Sequence, residues 1–168
     1  MGAGKGLKNL TYITLSSGVG GGVIVDCTLL IGKDGNAAEI GHMVIDLEGR
    51  LTCNCGGRGH WGGILLGLWD TEARQISGQE QAGSFPRNIS GRSCREGRTN
   101  PQAPLRVSKK GDKGALKIIE EVSRLNAIGF ANVDTFYDPE LITIGGSIAL
   151  NNPELVLKPI AANMGGTR

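Results

Sequence analysis

Apolar and polar positions alternate in short runs through the first third of the chain. Leu10-Thr-Tyr-Ile-Thr-Leu15 is β-branched and aromatic, Ser16 to Gly22 is a glycine-rich stretch, and Val23-Ile-Val25 resumes the apolar run. A turn at Asp26-Cys27 and a further run, Thr28 to Ile31, follow. The pattern predicts strand, glycine hairpin, strand, turn and strand, with a fourth short strand at Met43 to Asp46. Beyond Lys109 the period changes. Leu116, Ile119 (with Ile118), Val122, Leu125 and Ile128 (with Gly129) recur at helical spacing behind Asp112, a capping residue type. Tyr137-Asp138-Pro139 ends that helix, because proline disfavours helical backbone in the residue before it. Leu141 to Ile144 reads as a strand running into Gly145-Gly146-Ser147, and a second helix starts after Asn152-Pro153. Helix, strand, glycine turn and helix make an α/β unit.

The middle of the chain fits neither pattern. Gly62 to Arg106 has six arginines and no lysine, whereas the remainder has eight lysines and four arginines. Its Ser, Gly, Gln and Pro content argues against a packed core there, and so long an insert is foreign to a compact domain. The chain therefore divides into residues 1–61, an anomalous segment 62–107, and 108–168. Across all 168 residues the net charge is +2 with 20% charged side chains, which argues against a nucleic-acid-binding arm. No apolar run reaches the roughly 18 residues that span a bilayer, and Met1 to Gly6 lacks a signal core. The expectation is a cytoplasmic protein with no membrane partner. Of the 28 glycines, many fall between strand-like runs, where tight turns belong.

In that compartment, cysteines read as metal ligands before disulfides. His42, Cys53, Cys55 and His60 put two thiols and two imidazoles within nineteen residues, and Gly56, Gly57 and Gly59 let the chain fold sharply around one ion. Thiolate and imidazole in a closed set of four are the ligands of a structural zinc site. The competing reading is two free thiols in a loop with incidental histidines. Cys27 and Cys94 have no neighbouring donors and are bystanders. Ser16 to Gly22 following a strand offers backbone N–H groups to a phosphate, although a plain hairpin turn explains the glycines equally well. Gly145-Gly146 behind its strand is similarly ambiguous. Glu39 precedes His42 by three residues, so in a local helix the two share a face suited to vicinal hydroxyls. An exposed loop glutamate is the alternative.

Taken together, Leu10 to Gly22, Gly35-Asn-Ala-Ala-Glu-Ile-Gly-His-Met43, Cys53-Asn-Cys-Gly-Gly-Arg-Gly-His60 and Asp138 to Ser147 resemble the ROK family of sugar kinases and repressors, in its glucokinase-like branch. The resemblance covers residues 1–61 and about 108–162. It implies part of an actin-like, RNase H-like ATPase fold, the C-terminal lobe, in a family that uses ATP with Mg²⁺ to phosphorylate a hexose. Glu39 and His42 would touch sugar hydroxyls, and Zn²⁺ would sit on His42, Cys53, Cys55 and His60. Gly18, Gly20 and Gly21 would line phosphates, with Gly145 and Gly146 beside adenosine. A homo-oligomer is left open.

Three departures stand out. The family's Asp-x-Gly-Gly-Thr loop and its general-base aspartate have no counterpart in this sequence, so the resemblance assigns no catalytic residue and an inactive isolated chain is expected. Where the family has a sugar-binding glutamate two residues after the last zinc ligand, this chain has Gly62. Finally, the family often reads Trp-Glu-Ala-Tyr here, and one G inserted into an encoding such as TGG GAG GCA TAC yields Trp-Gly-Gly-Ile, as at Trp61 to Ile64. Residues 62–107 accordingly read as a frame-shifted translation. The alternatives are a non-catalytic zinc- or sugar-binding remnant, or a fragment of a repressor.

Overall fold

Four strands form one mixed sheet in the order β3-β2-β1-β4 in a computed structural model that describes residues 2–50, 52–63 and 113–164. The strands are β1 (Leu10–Leu15), β2 (Val19–Val25), β3 (Thr28–Leu29) and β4 (Leu141–Gly145). Strands β1 and β2 pair antiparallel from Leu10↔Ile24 to Leu15↔Val19, and β4 joins β1 in parallel from Leu10↔Leu141 to Thr14↔Gly145. Thr11, Ile13, Leu15 and Val23 are buried on one face of the sheet, as the two-residue side-chain period requires.

Pairing runs through the glycines rather than stopping before them. Gly20 and Gly21 lie within β2, opposite Thr14 and Ile13, so the hairpin turn is confined to Ser16, Ser17 and Gly18. The reading of Ser16 to Gly22 as one glycine-rich hairpin is corrected accordingly. The third strand is shorter than its apolar run, ending at Leu29. Met43 to Asp46 is no strand; it makes a single bridge, Val44↔His60, because its backbone partners belong to the cysteine loop.

Helix α1 (Lys113–Tyr137) covers the buried face. It ends where expected, at Tyr137, with Asp138 in the left-handed region (φ 44°) ahead of Pro139. Asp112, its expected cap, lies outside the described residues. The buried stripe differs from the predicted one. Ile119, Val122, Leu125, Phe130 and Val133 face the core, but Leu116 and Ile128 are 43% and 37% exposed. At 3.6 residues per turn, Asn126 and Gly129 take the inward positions instead. After β4 comes a five-residue helix, α2 (Ser147–Asn151), that the periodicity did not show, and then α3 (Pro153–Asn163). Val156 and Ile160 of α3 join the same core as Ile13, Leu15, Ile40, Ile45 and Trp61. Apart from Gly62 and Gly63, both helical, the anomalous segment and Cys94 lie outside the described residues. Among the described residues no helix is long and apolar enough to cross a membrane.

Candidate functional site

The chain leaves β3 through two glycines in the left-handed region, Gly32 (φ 74°) and Gly35 (φ 79°), and enters a 3₁₀ turn, Ile40–His42, with Glu39 at its N-cap. His42 N–H donates to the Glu39 carbonyl at 2.9 Å. The local helical turn expected around Glu39 and His42 is therefore present in its tighter form, in which residues three apart eclipse. Buried Ile40 presses this turn onto β2 over Gly21, where any side chain would meet the Ile40 methyl. Gly41 abuts the Val19 carbonyl so closely that a Cβ would collide with it. Glu39 and His42, both exposed, thus flank a turn held against β2 at Val19 and Gly21, Val19 being the residue that follows the Ser16–Gly18 turn.

The segment after His42 lies against the end of the cysteine loop. Trp61 N–H donates to the Met43 carbonyl at 2.9 Å, and the Ile45 and Asp46 N–H groups both donate to Gly59 at 3.0 and 3.2 Å. Within the loop, Cys53 N–H bonds Gly57 and Gly56 N–H bonds Cys53, each at 2.8 Å. These bonds fold Cys53 to His60 into a knuckle. The ligand atoms of His42, Cys53 and Cys55 all lie within 4.8 Å of one another. His60 adjoins this trio from outside its 4.8 Å circle: its Nδ1 is 3.2 Å from Cys55 Sγ, and its ring centroid is 5.4 Å from that of His42. Gly57 N–H points at Cys55 Sγ at 3.5 Å. Cys53 is half-buried and burial pushes its thiol up, which disfavours a bare thiolate and favours one neutralised by a cation. Two sulfurs and one imidazole at these separations can hold a metal ion, with the His60 imidazole beside Cys55. Cys27 stands apart at the exposed β2–β3 turn (φ 63°).

Helix α1 braces this loop at two places that sequence spacing does not reveal. The buried Asp46 carboxylate accepts from Arg50 N–H at 3.0 Å and pairs with its guanidinium at 3.1 Å. Burial raises the Asp46 pKa, but the Arg50 bonds and charge outweigh it, leaving the group more acidic than usual. Arg50 reaches Glu121 on α1 at 3.2 Å, and Glu121 also pairs with Arg124 at 2.9 Å. Arg124 first, and then Arg50 against some burial, hold the Glu121 carboxyl down at about 2. The second brace is Trp61, whose indole N–H donates to Asn126 Oδ1 at 2.7 Å.

The other glycines meet at the carboxyl ends of β1 and β4. Gly20, Thr14 and Gly145 sit abreast on three adjacent strands. Gly146 (φ 93°) leaves no room for a Cβ against the Leu15 carbonyl, and Ser147 Oγ lies 3.1 Å from Ser16 Oγ. The fold therefore brings Gly18, Gly20, Gly145 and Gly146 to one region. The carboxyl ends of parallel strands are where α/β sheets bind ligands. Gly62, itself buried, lies between the His42 turn and the start of β2, its Cβ position 3.3 Å from the Gly41 carbonyl and 3.7 Å from Val19 N.

The ROK family model matches residues 1–164. The chain belongs to the ROK family. Among its curated relatives is the glucokinase of Aeropyrum pernix, 39% identical over 158 residues, covering 92% of this chain and 48% of that protein. The ROK hexokinase structure from Thermus thermophilus superposes with a TM-score of 0.78 at 25% identity, over 98% of this chain and 50% of that one. A ROK glucokinase from Streptomyces griseus, in complex with glucose and AMPPNP, gives 0.67 at 26% identity, over 97% and 52%. The chain thus spans about half the length of the curated relatives it matches. Its sheet and helices are part of the actin-like ATPase fold of ROK sugar kinases.

Proposed function

We propose that this chain supplies the sugar-orienting and phosphate-facing half of an ATP-dependent hexose kinase acting on glucose. The observation that carries this reading is the Glu39–His42 turn, packed on β2 beside the Ser16–Gly18 hairpin and tied to the His/Cys cluster by the Trp61–Met43 bond. On this reading Glu39 and His42 hold sugar hydroxyls, while Gly18, Gly20 and Gly21 face the phosphates of ATP and its Mg²⁺. Gly145 and Gly146 take the adenosine side. Residues 1–61 form the phosphate and metal unit, and 108–168 the adenosine-side unit. Zinc on His42, Cys53, Cys55 and His60 fixes the loop and takes no part in the reaction. The hydroxyl's proton acceptor is not assigned to any residue of this chain.

A coupled assay with ATP and glucose tests the proposal, alone and with other parts of a ROK kinase added. Turnover that falls about a hundredfold in Glu39→Ala supports it, the order expected when a charged hydrogen bond is lost. Turnover indifferent to Glu39→Ala sinks it.

A further inference from the structure

Trp61 is completely buried, next in the chain to one candidate ligand and bonded to the residue beside another. It follows His60 directly, and its N–H holds Met43, the residue after His42. Wherever the indole goes, both histidine backbones follow. The indole is seated against α1: Phe130 meets it edge-on at 5.5 Å, Gly129 leaves it space that a Cβ would fill, and Asn126 Oδ1 accepts its indole N–H.

Asn126 is itself 1% exposed, and its Nδ2 has no partner among the described residues. Asparagine is a poor helix former, and a buried unpaired amide donor is destabilising. Leucine would suit the helix better. The amide serves one visible purpose, which is to receive the Trp61 N–H.

We infer that Asn126 is a positioning residue for the metal centre, setting His60 and His42 through the indole of Trp61. The inference rests on the zinc reading above. It extends the set of residues that determine metal affinity onto a helix 65 positions away in sequence.

The test measures zinc affinity of the full chain by competition with a chromophoric chelator, together with the visible spectrum of the Co²⁺ form. Asn126→Leu removes the acceptor and should weaken zinc binding about tenfold or more, as loss of an outer partner of a ligand does. The Co²⁺ bands should shift as the imidazoles move. Asn126→Asp keeps an oxygen acceptor and should restore both readouts. In a Trp61→Phe background, where no indole N–H remains, Asn126→Leu should change affinity by less than about twofold. Wild-type affinity and an unshifted Co²⁺ spectrum in Asn126→Leu overturn the proposal. So does a full further loss in the Trp61→Phe background, a comparison that decides the matter if Asn126→Leu alone does not fold. A wild-type chain that takes up no zinc fails the metal reading itself, whereas equal uptake by wild type and Asn126→Leu fails this inference only.

Discussion

Gly57→Ala separates the metal site from the fold. A Cβ at residue 57 would lie 2.5 Å from His60 Nε2 and 2.8 Å from Nδ1, with Cε1 closer still. Ordinary contact begins at 3.4 Å, so the ring must withdraw by about 0.9 Å measured at Nε2. Metal–ligand distances tolerate about 0.2 Å. The displacement therefore exceeds what a bound ligand allows, and His60 is pushed out of the set while His42, Cys53 and Cys55 stay. The obstacle is a side-chain ring able to turn away, and Gly57 is not among the left-handed glycines, so alanine adds no backbone strain. Zinc affinity should fall by about 1.4 to 2.7 kcal/mol, the tenfold to hundredfold range seen when ligand geometry is disturbed. The metal-free chain should keep its melting transition. Chelator competition gives the first number, and thermal unfolding in EDTA gives the second. Undiminished zinc binding in Gly57→Ala would refute the placement of His60 in the cluster.

Gly59→Ala is the contrasting case. At φ 70°, with its Cβ aimed at the Asp46 carbonyl, it should destabilise the metal-free chain itself by about 1–3 kcal/mol in chemical denaturation. Glu121 makes stability depend on pH. Its carboxyl titrates at about 2 in the folded chain against 4.5 ordinarily, so its contribution is complete above pH 4.5 and drains away as pH falls toward 2. Melting curves in EDTA should show that slope, and Glu121→Gln should flatten it; an unchanged slope would argue against the Arg50–Glu121–Arg124 contacts. Gly62→Glu buries a carboxylate against the Gly41 carbonyl, 3.3 Å from its Cβ position, and should lower the melting transition in EDTA; an unchanged transition would count against that packing.

The sequence was legible where one short stretch carries its own signal. Leu10 to Leu15 alternates cleanly and is β1, and Cys53 to His60 has donors and glycines so close together that a knuckle is the economical outcome. Met43 to Asp46 misled because its apolar residues pack against a loop, giving a strand's pattern without a strand's partner. Helix α2 escaped notice because five residues hold too little of a 3.6-residue period. Ile128 was placed inward on apolarity alone, while the inward place belongs to Asn126, whose polarity hid it. The bonds Trp61–Asn126 and Arg50–Glu121 span 65 and 71 residues, distances over which no motif spacing speaks.

The parallel pairing of β1 with β4 has a consequence for biosynthesis. Leu10 to Leu15 leave the ribosome together with their β2 partner, but their other edge waits for Leu141 to Gly145. Throughout that interval a nascent chain presents an apolar strand with open hydrogen-bonding groups, an invitation to edge pairing with a neighbouring chain. Closure of so distant a contact is slow. Translation speed and chaperone supply, more than final stability, should therefore govern how much of this protein reaches its native sheet.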